Sequence, residues 1–303
     1  MRDPGGLYDL SVETGQVPRD LHLVAGLTGF ADAGGAVSQV SAYLLENLEM
    51  SEIVAFDTDA LLDYRARRPV MFFDQDHLSE YKPAKLSLYL AKDELGQQFL
   101  FLTGFEPDFQ WERFTAAVVQ LVQKYGVKDT TWVNAIAMPT PHTRPIGVTV
   151  SGNRLDLIDA MSVWKPRTQV PSNALHLLEY RLQQAGHPTA GFVLLIPHYL
   201  SDTEYPQAAV AALESISAAT GLIFPTDKLR EQNREFLAKV EDQVQGNAEL
   251  ERLVGALEER HDSYMEENPL PSPLMDSSGE LPNADSIAAE LEKFLASRRD
   301  DES

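Results

Sequence analysis

Short apolar runs alternate with amphipathic stretches over the first 225 residues of the chain. Residues 21–26 form one apolar run, and between residues 36 and 48 the apolar side chains recur at three- and four-residue spacing. The run predicts a short buried strand, and the spacing predicts a helix. The glycine-rich turn Gly26–Gly35 lies between them. A strand, a turn and a helix in this order form the opening unit of an α/β sheet, in which ligands bind at the carboxyl ends of the strands.

The same succession recurs further along the chain. Residues 98–103 predict a strand, Gly104-Phe-Glu106 follows it, and a helix extends to about Tyr125. The first turn contains Gly29-Phe-Ala-Asp32, so both turns place an acidic residue shortly after Gly-Phe. Further strands are predicted at residues 52–56, 70–73, 85–90, 130–138, 147–151 and 191–196. This alternation predicts an α/β fold with a mostly parallel central sheet flanked by helices.

From Thr226 onward the pattern becomes helical and more acidic. Residues 227–303 contain 20 acidic and 9 basic residues, which gives a net charge of −11 out of the −21 of the whole chain. Two amphipathic stretches joined at Gly246 predict a C-terminal α-helical hairpin with an apolar seam. We therefore divide the chain into an α/β core domain (1–225), an acidic helical hairpin (226–267) and a linker, short helix and frayed acidic tail (268–303).

The composition excludes several classes of function. The 303 residues include no cysteine, which excludes disulfides and thiolate chemistry and fits a reducing cytoplasm. The N-terminus has no apolar run of signal-peptide length, and no window approaches 18 uninterrupted apolar residues. A net charge of −21 repels phosphate backbones. We expect a cytoplasmic protein that binds neither nucleic acid nor membranes.

The turn Gly26–Gly35 is the first candidate site. It lacks the spacing of the dinucleotide-binding and Walker phosphate loops. Its backbone N–H groups at a helix start could still bind an anion, with Gly29, Asp32 and Gly34 in the pocket wall. Asp32 could instead bond to those amides as a helix cap, a contact worth about 1 kcal/mol. Capping and tight packing is the favoured interpretation, and ligand binding is the alternative.

The loop Pro141-His-Thr-Arg-Pro145 is a second candidate site, because prolines on both sides restrict its backbone. His142 could act as a general acid or base near neutral pH, and Arg144 could bind a carboxylate or phosphate. The structural alternative, which is slightly favoured, is a salt bridge from Arg144 to Glu106 or Asp108. His142 would then be hydrogen-bonded to a carbonyl group.

Further polar side chains also follow predicted strands. They are Asp57, Asp59, Glu106, Asp108 and His198. In a parallel sheet these carboxylates and both histidines would converge on one edge, as a catalytic or metal constellation does. Loop capping and ion pairs to Arg65, Arg67 and Arg68 are an equal alternative. The sequence contains no zinc-protease helix motif, nucleophile elbow or EF-hand loop, so we predict neither a metal site nor a cofactor.

Taken in order, these motifs resemble the proteasome assembly chaperone 2 family, in its bacterial (actinobacterial-type) branch. The matching segments are Gly29-Phe-Ala-Asp-Ala-Gly34, Phe56-Asp-Thr-Asp59, Tyr64-Arg-Ala-Arg-Arg-Pro69, Gly104-Phe-Glu-Pro-Asp108, Trp111-Glu-Arg-Phe114, Pro141-His-Thr-Arg-Pro145 and Pro197-His-Tyr199. The resemblance implies an α/β sandwich similar to the phosphorylase/hydrolase-like folds and assembly into homo-oligomers. For the eukaryotic relatives it implies binding to proteasome α-subunits, and it supplies no catalytic residues for this chain.

Two hypotheses for the function follow. The first is a non-enzymatic, oligomeric assembly or protein-interaction factor, with the acidic hairpin as a packing or partner surface. The second is a small-molecule-binding enzyme, phosphorylase/hydrolase-like or ligase-like, that uses a pocket at the carboxyl ends of the strands. The second hypothesis requires that Asp32, Glu106, His142, Arg144 and His198 line one concave pocket. The sequence leaves open whether the chain catalyses a reaction.

Overall fold

The computed structural model of the protein describes residues 3–11, 16–29 and 31–270. The strands are β1 (Tyr8–Leu10), β2 (His22–Thr28), β3 (Met50–Phe56), β4 (Phe72–Asp74), β5 (His77–Ser79), β6 (Leu86–Lys92), β7 (Gln98–Phe105), β8 (Asp129–Met138), β9 (Val148–Gly152) and β10 (Thr189–Pro197). The α-helices are α1 (Ala36–Asn47), α2 (Thr58–Leu61), α3 (Trp111–Tyr125), α4 (Leu155–Met161), α5 (Ala174–Gln184), α6 (Pro206–Thr220), α7 (Asp227–Gln245) and α8 (Ala248–Glu267). The short helix and acidic tail predicted beyond residue 270 lie outside the described residues.

Eight strands form one sheet in the order β1-β3-β6-β7-β2-β8-β10-β9. The four central strands β7, β2, β8 and β10 run parallel to one another, whereas the outer strands pair antiparallel. The turn between β6 and β7 is too short for a parallel crossover, and Asp93 closes it by accepting hydrogen bonds from the N–H groups of Leu95 and Gln97. The α/β prediction is confirmed, with the parallel strands at the centre and antiparallel strands on both sides.

Helices cover both faces of this sheet. One apolar core lies beneath α3 and α5 and includes Phe114 and Trp132. The other lies beneath α1 and α6 and includes Val37 and Phe192. Because α6 presents small side chains such as Ala208 to the sheet, its backbone can approach the strands closely. The carboxyl ends of the four parallel strands therefore meet at one edge between two packed layers.

The C-terminal helices form the predicted hairpin. They are joined at Gly246, and the side chain of Asn247 caps α8 by accepting a hydrogen bond from the N–H of Glu249 at 3.0 Å. Helix α7 packs on α6, where the rings of Phe236 and Tyr205 lie 5.4 Å apart. Much of the apolar face of α7 therefore packs against the core as well as facing α8. None of the helices in the described ranges has the length and apolar content needed to cross a membrane.

Candidate functional site

Asp32 in the glycine-rich turn binds the start of α1. Its Oδ1 accepts a hydrogen bond from the N–H of Val37 at 2.7 Å, and its Oδ2 accepts one from the N–H of Ser38 at 3.0 Å. A bound anion would need these same N–H groups at the helix start. The carboxylate of Asp32 thus occupies the position that the anion-binding interpretation requires.

Gly34 packs tightly within the same turn. Its N–H donates to the carbonyl oxygen of Ser201 at 2.8 Å, and its carbonyl oxygen accepts from the N–H of Tyr205 at 2.9 Å. Its backbone is left-handed, with φ of +67°, and a Cβ here would lie 3.2–3.3 Å from atoms of Ile196, Ala208 and Tyr205. Both the conformation and the space therefore require glycine.

Glu106 connects the end of β7 to α5. Its side chain is buried, and its Oε1 accepts a hydrogen bond from the N–H of Ala174 in the first turn of α5 at 2.8 Å. Gly29 leaves room for this side chain, because a Cβ at position 29 would overlap with it. A cavity of about 10 Å³ beside Glu106 is also lined by Asn134 and Asn173. A space of that size holds about one water molecule and no substrate.

Asp57 and Asp108 stabilise neighbouring loops. Asp57 caps α2, since its Oδ1 accepts a hydrogen bond from the N–H of Ala60 at 3.1 Å. Asp108 forms an ion pair with Arg67 at 2.5 Å and accepts a hydrogen bond from the N–H of Asp63 at 2.7 Å. Of the three arginines expected as partners, Arg67 makes this contact. These bonds correspond to the capping and ion-pair alternative.

His142 is buried beneath the C-terminal hairpin, and its side chain is only 4% exposed. The hydroxyl of Tyr199 accepts a hydrogen bond from the backbone N–H of His142 at 2.8 Å and lies 2.7 Å from its Nδ1. If that hydroxyl donates to Nδ1, the ring proton is on Nε2, which is 4.0 Å from a carboxylate oxygen of Glu241. Burial lowers the pKa of His142, and the charges of Glu241 and Glu258 partly offset this effect. The expected contact with a carbonyl group is replaced by one with a hydroxyl.

Arg144 anchors α8 to the body of the protein. Its Nε and Nη2 donate to the two carboxylate oxygens of Asp262 at 2.8 and 2.6 Å, and its Nη1 lies 3.3 Å from Glu258. The guanidinium group holds the pKa of Asp262 well below its usual value. The predicted salt bridge to Glu106 or Asp108 is therefore wrong, because α8 lies over this loop and supplies the carboxylates.

His198 is exposed in the turn after β10. Its ring meets the ring of Tyr199 edge-on at a centroid distance of 5.4 Å, and its carbonyl oxygen accepts a hydrogen bond from the hydroxyl of Ser201 at 2.8 Å. It does not line the small cavity beside Glu106. His198 and His142 therefore both contact Tyr199, but His198 is exposed whereas His142 is buried.

The candidate residues lie at one edge of the sheet, but their side chains contact different elements there. The candidates separate into contacts with α1 (Asp32, Gly34), α2 (Asp57), the start of α5 (Glu106, with Gly29 beside it), the loop around Arg67 (Asp108), Tyr199 and α7 (His142), α8 (Arg144) and solvent (His198). Buried polar groups require partners, and helix starts and arginines are nearby at this edge. The resulting geometry holds helices in place, and the small cavity beside Glu106 is lined by none of the other eight candidates.

A separate cavity, also enclosed by the C-terminal helices, lies away from these side chains. This cavity of about 660 Å³ lies between α8, β9, α6 and the segment that follows α4. Its wall is largely apolar and includes Ile146, Met161, Trp164 and Met265, and none of the nine candidate residues lines it. A volume of this size suits a small molecule. The sequence pattern could not predict this cavity, because its wall is assembled from residues between 138 and 270.

A buried carboxylate was also missed. Glu179 in α5 accepts hydrogen bonds from the indole N–H of Trp132 at 2.8 Å and from the hydroxyl of Ser151 at 2.7 Å. Burial raises its pKa. A sequence signal existed, since Glu179 lies on the apolar stripe of α5 with Leu178 and Leu182. In the described ranges no three acidic or histidine side chains are grouped so as to hold a metal ion.

Comparison with known proteins identifies the family. The PAC2 family model matches residues 26–244. A protein of unknown function from Mycobacterium tuberculosis is 40% identical, with 88% of this chain and 93% of that chain covered and a TM-score of 0.80. A protein of unknown function from Corynebacterium glutamicum is 36% identical, with 86% and 98% covered and a TM-score of 0.81.

A more distant structure shares the fold. A proteasome-assembly chaperone homologue of Mycobacterium tuberculosis is 23% identical, with 77% of this chain and 100% of that chain covered and a TM-score of 0.70. No curated protein matches the chain significantly. The family model spans most of the chain, and the resemblance inferred from the ordered motifs is confirmed. The chain belongs to the proteasome assembly chaperone 2 (PAC2) family.

Proposed function

We propose that the protein is a non-enzymatic, oligomeric assembly or protein-interaction factor. One observation carries this proposal: the side chains suited to acid–base chemistry or anion binding are already bonded within the fold. Asp32 caps α1, Glu106 bonds to the start of α5, and Arg144 makes a two-pronged contact with Asp262. A catalytic group needs a free lone pair or proton within about 3 Å of its substrate. These three groups would have to break structural contacts first.

His142 is the strongest remaining acid–base candidate, and its surroundings also support a structural role. Its Nδ1 lies 2.7 Å from the Tyr199 hydroxyl, and its Nε2 is directed towards Glu241 of α7. A substrate would reach this nitrogen only if the C-terminal hairpin moved away. The 4% exposure of the side chain is that of a packed residue.

The family membership supports a protein as the partner. The Mycobacterium tuberculosis relative of the same fold is described as a proteasome-assembly chaperone homologue. At 23% identity that likeness carries the fold rather than the activity. The C-terminal hairpin, whose outer face is acidic, is the surface that we assign to a protein partner.

A ligand screen tests the enzymatic alternative. The full-length protein is heated with nucleosides, nucleotides and carboxylates, and its melting temperature and any turnover are recorded. We expect no saturable stabilisation and no product. Saturable stabilisation by one of these compounds that is lost in Glu106→Gln or His142→Asn, with an unchanged melting temperature of the free variant, would overturn the proposal.

Photo-crosslinking tests the partner directly. A photoreactive side chain replaces exposed Gln243 on α7 or, as a control, exposed Tyr180 on α5 of the opposite face. We expect defined protein cross-links in cells from position 243 and none from position 180. Equal labelling at both positions, or none at either, contradicts the assignment of the hairpin as the partner surface.

The cavity beneath α8 supports a second candidate function, the binding of a small apolar molecule. Its volume of about 660 Å³ and its wall of Ile146, Met161 and Met265 carry this candidate. An environment-sensitive naphthalene sulfonate dye should bind the native protein and quench the fluorescence of Trp164 in the wall. Met161→Trp should fill the space and reduce dye binding. If this variant binds the dye as well as wild type does, the dye binds elsewhere and this candidate function is contradicted.

A further inference from the structure

The cavity beneath α8 is mostly apolar, but its wall also contains a cation. Met161, Met265 and other apolar side chains make up most of the lining. Arg260 of α8 lines the same cavity and is exposed to solvent, so it lies at the opening. An apolar interior with a charged group at its opening suits a molecule that has an apolar body and one charged end.

The sequence of α8 leaves Arg260 without a local ion pair. Residues three and four positions away along a helix are surface neighbours. For Arg260 these neighbours are Ala256, Leu257, Ser263 and Tyr264. None of them carries a carboxylate, and among the described residues no hydrogen bond or ion pair involves the Arg260 side chain. Its guanidinium group is therefore available to a ligand.

The other polar groups in the wall are bonded within the protein. The hydroxyl of Tyr264 donates to the carbonyl oxygen of Val163 at 3.0 Å, and the hydroxyl of Ser215 donates to a carbonyl oxygen of its own helix at 2.8 Å. The carboxylate of Glu214 accepts a hydrogen bond from Arg230 at 2.6 Å. Of the two ionised side chains in the described wall, Glu214 is thus paired and the arginine of α8 is not.

A carboxylate matches this cation better than a phosphate or an amine does. A guanidinium group can donate two parallel hydrogen bonds to a carboxylate and neutralises its single charge. A phosphate monoester carries a charge of about −1.5 to −2 at neutral pH, so one arginine would leave excess negative charge. That excess would lie beside α8, which contains seven acidic and two basic residues. An amine would have to displace Arg230 from Glu214.

We infer that this cavity binds an amphipathic carboxylic acid, with its carboxylate on Arg260 and its apolar chain beside Met161, Trp164 and Met265. The inference rests on the second candidate function, because it names the class of molecule that the cavity takes. The apolar wall alone specifies only an apolar molecule, and the unpaired arginine adds the charged end. No chemical step is involved, because the contacts are those of a binding site.

Isothermal titration calorimetry of the full-length protein tests the chain part of the ligand. The probes are octanoate, decanoate and dodecanoate, each below the concentration at which it forms micelles. The affinity should rise about fourfold for each added methylene group, as expected when the chain enters an apolar space. Met161→Trp should weaken the binding of all three acids, because the larger side chain occupies part of that space.

Arg260→Gln tests the charged end separately. The affinity for decanoate should fall about tenfold, the usual contribution of a hydrogen-bonded charge contact, whereas the affinity for decan-1-ol should not change. Arg252→Gln is the matched control, since Arg252 is an exposed cation on the same helix that does not line the cavity. It should bind decanoate as wild type does. The melting temperatures of both variants without ligand should equal that of wild type, because neither side chain is buried.

The possible outcomes separate this inference from the proposed function. Equal affinity of wild type and Arg260→Gln for decanoate overturns the inference, as does tighter binding of decyltrimethylammonium than of decanoate. If the naphthalene sulfonate dye still binds and Met161→Trp reduces its binding, the second candidate function stands without this ligand class. If neither the dye nor any of the acids binds, both fail. Turnover of a bound acid overturns the non-enzymatic proposal and leaves the ligand class intact.

Discussion

Gly34→Ala tests whether the glycine-rich turn requires glycine for its backbone conformation and packing. The added methyl group perturbs the turn in two ways. An L-residue would have to adopt the left-handed conformation, with φ of +67°, and its Cβ would lie 3.2–3.3 Å from Ile196, Ala208 and Tyr205. If the turn has a structural role, the substitution should destabilise the whole protein and not merely reduce the affinity for a ligand.

The magnitude follows from these two contributions. A left-handed backbone costs a non-glycine residue about 1–2 kcal/mol. Crowding in a packed region adds about 1–3 kcal/mol, because three neighbours must each move by a few tenths of an ångström. Gly34→Ala should therefore lower the free energy of unfolding by about 2–5 kcal/mol.

Two matched variants separate the contributions. Gly221 follows α6 with φ of +76°, and a methyl group added there would meet no atom within 4 Å, so Gly221→Ala should cost only the conformational part, about 1–2 kcal/mol. Gly255 lies within α8 and also has open space, so Gly255→Ala should stabilise the protein by up to about 1 kcal/mol.

Urea denaturation of the four proteins measures these values, and equal slopes with denaturant concentration are needed for the comparison. The expected order of stability is Gly255→Ala, wild type, Gly221→Ala and then Gly34→Ala. If Gly34→Ala and Gly221→Ala destabilise equally, crowding contributes nothing at position 34. The packing explanation for this turn is then refuted.

The remaining predictions concern charged groups. Arg144→Lys loses the two-pronged contact with α8, so hydrogen exchange in residues 248–267 should accelerate, whereas Arg154→Lys, whose pair with Asp156 is local, should leave it unchanged. Burial lowers the pKa of His142, so the contribution of the neutral ring to stability is lost as the pH falls below about 6.5. Between pH 7 and 5 the melting temperature of wild type should therefore fall more steeply than that of His142→Gln. Burial raises the pKa of Glu179, so ionisation of this carboxyl destabilises the fold as the pH rises. Glu179→Gln should therefore gain stability relative to wild type between pH 4 and 8. If the plots of melting temperature against pH for wild type and a variant are parallel, the shifted pKa assigned to that residue is contradicted.

The periodicity of the sequence was sufficient to predict most of the fold. Apolar runs with a strand period and stripes with a helix period are local properties, and the short connections restrict how the elements pair. The pattern at 70–73 shows the limit of this reasoning. Phe72 and Phe73 have the composition of a buried strand, but burial depends on neighbours from elsewhere in the chain, and the described residues provide none.

The candidate site was less predictable for the same reason. The sequence identified polar residues after strands, and these residues do lie at the edge where the parallel strands end. The partner of each side chain comes from a distant segment: Arg144 binds Asp262, which is 118 residues away. Neither spacing nor charge pattern indicates which helix lies over a given loop. The function of a polar residue at a strand end therefore depends on the tertiary packing above it.

The two Gly-Phe turns show how similar sequence units acquire different structural roles. Asp32 binds the helix that directly follows its own strand, so its contact is local. Glu106 instead binds the start of α5, 68 residues further along, and the first turn of α3 has no side-chain cap among the described residues. Glu106 therefore links the end of β7 to α5, which lies on the same face of the sheet as α3. Asp32 thus makes a local helix-capping contact and Glu106 a long-range one, and the contact with α5 gives a structural reason for a buried carboxylate at the strand ends.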